Sequence, residues 1–142
     1  MAMTNEDWKY VETKLAHIMG KAVLNCDGHK LTLELMQVGT FQNKIVFYVD
    51  GWMRGEWLLK DCEERRRFFR PVKSNVWSKR QKLKLNKIGK SMLKRFNIDL
   101  AATSTHYESF WANFKALKKH LIQNNEDITL IRGEYETEPV RQ

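Results

Sequence analysis

The run KAVLNCDGHKLTLELMQVGTFQNKIVFYVDGW, residues 21–52, decides the fold. It contains two Asp-Gly pairs, Asp27-Gly28 and Asp50-Gly51. Such a pair is a strong hairpin signal, because a two-residue type I′ turn needs two left-handed backbones and these residues adopt them readily. Before the first pair, Ala22 to Cys26 reads as a short strand. After it, Leu31, Leu33 and Leu35 alternate with Thr32, Glu34 and Met36, the period of a half-buried strand. A turn at Gly39 to Asn43 leads into Ile45, Phe47 and Val49 interleaved with Val46 and Tyr48. That pattern is apolar on both faces and predicts a strand central in its sheet. The second Asp-Gly pair turns the chain into residues 52–57, expected as a fourth strand broken at Gly55. Tight hairpins join antiparallel neighbours, so an antiparallel sheet is expected.

On the N-terminal side, Thr4 and Asp7 form a capping-box pattern, and Trp8, Val11, Leu15 and Ile18 follow at helical spacing. A helix over residues 5–19, stopped by Gly20, is expected. On the C-terminal side the period changes near Leu58. Leu58, Cys62 and Phe69 share one helical face, and Pro71 ends that helix because the residue before proline avoids the α region. Residues 70–77 read as a basic connector. Ser78 with Gln81 caps a helix whose stripe is Leu85, Ile88, Met92 and Phe96, with Asn97 ending it. Thr105 with Glu108 suggests a third cap, before Tyr107, Phe110, Trp111, Phe114, Leu117 and Leu121, and Ile128 to Ile131 reads as a last strand at a sheet edge. The order is α-β-β-β-(β)-α-α-α-β, an α+β fold whose antiparallel sheet of about four to five strands carries helices packed on one face. Residues 1–133 are expected to form one domain, followed by an acidic, mobile tail over 134–142 with Glu134, Glu136 and Glu138.

The chain has 142 residues and a formal net charge of +8. At this length roughly 70% of the unfolded surface can be buried, enough for a core without covalent staples. Apolar residues make up 42% and charged residues 30%, which excludes a disordered polyelectrolyte. No apolar run approaches the ~18 residues of a membrane span, and the first residues lack the apolar core of a secretory leader. Cys26 and Cys62 have no zinc-type spacing and are too few for a disulfide framework, so a reducing, cytoplasmic setting is expected.

The charge is unevenly placed. Residues 61–100 hold thirteen Lys/Arg against four Asp/Glu, whereas residues 1–60 balance at seven each. All thirteen cations fall within 65–95, an interval without an acidic residue. A solvated surface normally mixes its signs, and this one would attract a polyanion. Arginine forks bind phosphate bidentately, lysine adds point charge, and aromatics stack on unpaired bases. The candidate nucleic-acid contacts are Arg65, Arg66, Arg67, Arg70, Lys73, Trp77, Lys79, Arg80, Lys82, Lys87 and Lys90. An acidic protein surface would suit the same charge. Alternatively, Phe68, Phe69 and Trp77 face the core while the cations only solubilise a helix pair.

Trp52, Met53, Arg54 and Trp57 are candidates for a protein interface, since Trp, Met and Arg are enriched in such surfaces. The competing reading has Trp52 and Trp57 capping the core. His17, His29, His106 and His120 lack ligand spacing, and surface or helix-end roles are expected, with no metal or cofactor. His106 and His120 are placed at the start and the end of the helix expected after Thr105. A metal-dependent nuclease would need an Asp and a Glu-x-Lys on adjacent strands. Asp50 sits at a turn, Glu12-Thr13-Lys14 lies on the first helix, and Glu56 and Lys60 are four apart.

Around Tyr48-Val49-Asp50-Gly51-Trp52, Gly55-Glu56-Trp57 and residues 65–71, the chain resembles small uncharacterised proteins carried by bacteriophages and prophages. The resemblance covers about 25 residues and implies a bacterial cytoplasm and an accessory role. Nucleic-acid handling is one such role. Inhibition of a host defence complex, such as a CRISPR effector, is another. The leading expectation is a small, basic, non-catalytic nucleic-acid-binding protein, with a protein-binding inhibitor as the alternative.

Overall fold

The computed structural model describes residues 3–132, and the acidic segment 134–142 lies outside them. Helix α1 (Asn5–Lys14) opens on the expected capping box: Thr4 Oγ1 accepts from the Asp7 N–H and the Asp7 carboxylate accepts from the Thr4 N–H, both at 3.1 Å. It ends short of residue 19 because the backbone beyond it joins the sheet. The Met19 N–H donates to the Leu35 carbonyl at 2.7 Å, and the Gly20 carbonyl accepts from the Leu35 N–H at 3.1 Å.

Strands β1 (Lys21–Cys26), β2 (His29–Gly39) and β3 (Gln42–Val49) form the expected meander. Asp27 and Gly28 have φ of 50° and 94°, and Asp50 and Gly51 have 52° and 86°, the doubly left-handed geometry of the type I′ turn. After Gly51 the expected fourth strand shrinks to a single bridge between Val49 and Trp52. The edge of β3 away from β2 is taken instead by β6 (Phe110–Trp111), paired at Ile45–Trp111 and Val46–Phe110. With β7 (Ile128–Ile131) beside β1, the antiparallel sheet runs β6-β3-β2-β1-β7. β2 takes the middle position, and the strand of Ile45 to Val49 lies beside it as an interior strand flanked by β2 and β6.

The register places Ala22, Leu24, Leu31, Leu33, Phe47 and Val49 on one face, and all are buried. Helices α3 (Glu63–Phe68) and α6 (Phe114–Asn124) supply the matching layer. The Phe68 and Phe69 rings meet Phe47 at 6.4 and 5.1 Å, Leu117 and Leu121 are buried, and Trp8 of α1 meets Phe114 edge-on at 6.4 Å. Trp111 Nε1 donates to the Phe68 carbonyl at 3.0 Å, so the indole enters the core with its polar atom paired.

The helix expected from Leu58 to Phe69 is broken into α2 (Glu56–Leu59) and α3. On one straight helix, Trp57 and Phe69 would lie about 18 Å apart along the axis. The extended backbone at Lys60 and Cys62 lets their rings meet at 6.2 Å. The third capping box does not form either, because Thr103–Glu108 is strand β5 and the Glu108 carboxylate accepts from Arg70. Helix α6 starts later, on Asn113, whose Oδ1 accepts from the Ala116 N–H at 3.2 Å.

The chain divides into two compact units. One comprises residues up to Arg70 and from Glu108 onward, and the other is Pro71–Tyr107. The second contains most of β4 (Arg70–Asn75) and of β5, which pair as a two-stranded sheet, together with α4 (Lys79–Asn86) and α5 (Lys90–Arg95). The residues expected as a connector thus form a strand, and the helix expected between Ser78 and Asn97 is two helices. Gly89, at φ 96° and ψ 154°, sits between them in a conformation that side chains other than glycine's scarcely tolerate. No helix among the described residues is long and apolar enough to cross a membrane.

Candidate nucleic-acid interface

Pro71–Tyr107 carries nine Lys/Arg residues and one acidic residue, Asp99. The surplus of eight equals the net charge of the whole chain, so the remaining residues balance. The cations are Lys73 on β4, Lys79, Arg80, Lys82 and Lys84 on α4, Lys87 at its C-cap, and Lys90, Lys94 and Arg95 on α5. Lys82 is half-buried and the others are exposed. Among the described residues none of the nine is held in an ion pair.

Local sequence builds this unit firmly. The Ser78 hydroxyl accepts from the Gln81 N–H at 3.2 Å, while the Gln81 side chain accepts from the Ser78 N–H at 2.8 Å. Helix α5 ends in a Schellman motif, with Asn97 left-handed at φ 56°. The Ile98 N–H donates to the Leu93 carbonyl at 2.9 Å and the Asn97 N–H to the Lys94 carbonyl at 3.2 Å. Helix α4 buries none of its residues and α5 buries Leu93. Val76, Leu83, Ile88 and Phe96 are exposed and Trp77 is half-buried, so apolar surface is interleaved with the cations.

The arginines of α3, and Arg70 at the start of β4, sit in different surroundings. Arg66 pairs with Asp61 at 2.8 Å. The Arg67 guanidinium donates to Glu63 at 2.8 Å, to Asn125 Oδ1 at 2.9 Å and to Asp27. Arg70 pairs with Glu108. Arg65 is half-buried on α3. The arginines at the start of the acid-free interval are therefore supplied with acids in space. Asp27 also accepts from the Asp127 N–H at 2.7 Å and the Glu126 N–H at 2.9 Å. Those backbone bonds, reinforced by Arg67, hold its carboxyl down to about 2. Arg67 likewise lowers Glu63. The cluster ties the β1–β2 turn to α3 and to the connection between α6 and β7. It lines an open cleft of about 1040 Å³ where both signs mix.

Phe68 and Phe69 lie in the core, as the competing reading of that segment expects. Trp57 is also buried, at 9% exposure, whereas Trp52 is 59% exposed with the Arg54 guanidinium 5.8 Å from its ring centre. Met53 is half-buried. His106 is exposed on β5 rather than in the first turn of a helix. His120 lies near the end of α6, where burial lowers its pKa. His29 lies 3.7 Å from Asp50 and 3.6 Å from Glu63.

Lys84, Lys94 and Arg95, absent from the contact set expected from the sequence, are exposed on α4 and α5 as Lys79, Arg80, Lys87 and Lys90 are. Their spacing relative to Lys87 and Lys90 was the available signal. This chain matches no family model, no curated protein and no solved structure.

Proposed function

We propose that Pro71–Tyr107 is a nucleic-acid-binding unit and that the chain acts as a small basic binding protein. One observation carries the reading: the whole net charge of the molecule is concentrated in this unit, on cations that no described carboxylate neutralises. The contact set is Lys73, Lys79, Arg80, Lys82, Lys84, Lys87, Lys90, Lys94 and Arg95, with Trp77 available to a base. Arg66, Arg67 and Arg70 leave the set because their charge is already engaged, and Arg65 leaves with them as a half-buried residue of α3. Phosphate contacts position a ligand without reading its sequence, so specificity is weak.

Anisotropy of labelled oligonucleotides at increasing salt tests this. Each neutralised phosphate contributes about −0.9 to the log–log slope for duplex and about −0.7 for single strands, so five to seven contacts give a slope near −4 to −6. Replacing Lys79, Arg80, Lys82 and Lys84 together by Gln reduces affinity by more than about tenfold, whereas Arg66→Gln leaves it nearly unchanged. Absence of binding at low salt overturns the proposal.

The exposed Trp52 beneath Arg54 favours a second reading, a protein partner with an acidic surface, of which a phage-encoded inhibitor of a host defence complex is one form. Capture from a bacterial lysate separates the two. A single protein retained after nuclease treatment favours the second reading, and loss of all partners favours nucleic acid.

A further inference from the structure

We infer that the cleft between α5 and the loop that follows it seats one unstacked nucleobase, so that the preferred ligand of the basic unit is single-stranded nucleic acid. The inference rests on the nucleic-acid reading above. The cleft is shallow and open to solvent, with a volume of about 710 Å³. Leu93, Ile98 and Leu100 supply its apolar lining, and the Schellman bonds at Asn97 and Ile98 hold helix and loop together. Lys90 and Lys94 lie one turn apart on the same face of α5, and both border the cleft.

Asp99, the one acidic residue of the unit, also borders it, and its Oδ1 accepts from the Ala101 N–H at 2.9 Å. These groups sort the parts of a nucleotide. A phosphate is repelled by Asp99 and attracted by the two lysines that border the cleft. A base finds apolar contact against Leu93, Ile98 and Leu100, with amides of Asn86 and Asn97 able to donate or accept at its edge. A paired base in a duplex has its faces covered by its neighbours and would have to be flipped out first, which disfavours double strands.

The test compares a thymidine 12-mer with a 12-mer of abasic sites, which carries the same phosphates and no bases. The thymidine strand is expected to bind at least about tenfold more tightly. Ala101→Leu, which adds bulk to the cleft lining and removes no cation, is expected to reduce that difference while leaving abasic binding unchanged. In the unaltered protein, a strand bearing 5-iodouracil is expected to photocrosslink within residues 86–101.

Equal affinity for the two 12-mers, or crosslinks confined outside residues 86–101, overturns the base-binding inference and leaves the polyanion reading intact. Failure of both strands to bind at low salt removes the polyanion reading itself.

Discussion

Asp27 shows how much one side chain can settle. As the first residue of a type I′ turn it takes a left-handed backbone, and its carboxylate gathers two backbone N–H groups and the Arg67 guanidinium. The turn role is legible in the dipeptide Asp27-Gly28. The partners are not, because they lie 40, 99 and 100 residues away. The carboxyl pKa falls from 3.8 to about 2 on folding, so its contribution to stability is complete above the unfolded value and fades as pH falls towards about 2. Asp27→Asn keeps a residue that tolerates the left-handed turn and removes the charge. The expected result, from urea unfolding followed by circular dichroism across acid pH, is a variant less stable than the parent at neutral pH. The two curves converge as the medium is acidified. Parallel curves would mean that Asp27 is not the titrating anchor.

At the scale of elements, the successes and failures divide by the range of the interaction. Both Asp-Gly hairpins, the caps at Thr4 and Ser78 and the stop at Asn97 form as read, because each is decided within a few residues. The misread elements are those where a distant partner outcompetes the local pattern. Thr105 to Glu108 carries a capping signal, yet β5 pairs with β4 and Glu108 serves Arg70. Leu85, Ile88, Met92 and Phe96 keep helical spacing across Gly89, which conceals the break. Gly89 has room for a Cβ but not the backbone for one. Gly89→Ala is therefore expected to cost about 1–3 kcal/mol through strain alone. Equilibrium unfolding measures that cost, and hydrogen exchange should show the protection lost in α4 and α5 while the five-stranded sheet keeps its own.

For the molecule as a whole, the charge-neutral unit contains the five-stranded sheet with α1, α3 and α6, and the chain leaves it after Arg70 and re-enters at Glu108, two residues joined by an ion pair. Replacing Pro71–Tyr107 by a short Gly-Ser linker that preserves Arg70 and Glu108 is expected to leave a cooperatively folding protein of near-zero net charge that no longer binds heparin or oligonucleotides. Thermal unfolding and heparin chromatography check the two halves of that statement. Retention on heparin after the excision would move the polyanion site to the α3 arginines.

The amino-acid order alone determined the meander, its turns, the helix caps that rest on neighbouring residues, and the crowding of cations in the middle of the chain. All of these depend on backbone sterics, side-chain period and composition, which act over short separations. Only the tertiary structure decided which cations remain available. Opposite charges attract through space, and folding brings Asp27 and Glu108 to Arg67 and Arg70 while leaving the nine cations of Pro71–Tyr107 without such partners among the described residues.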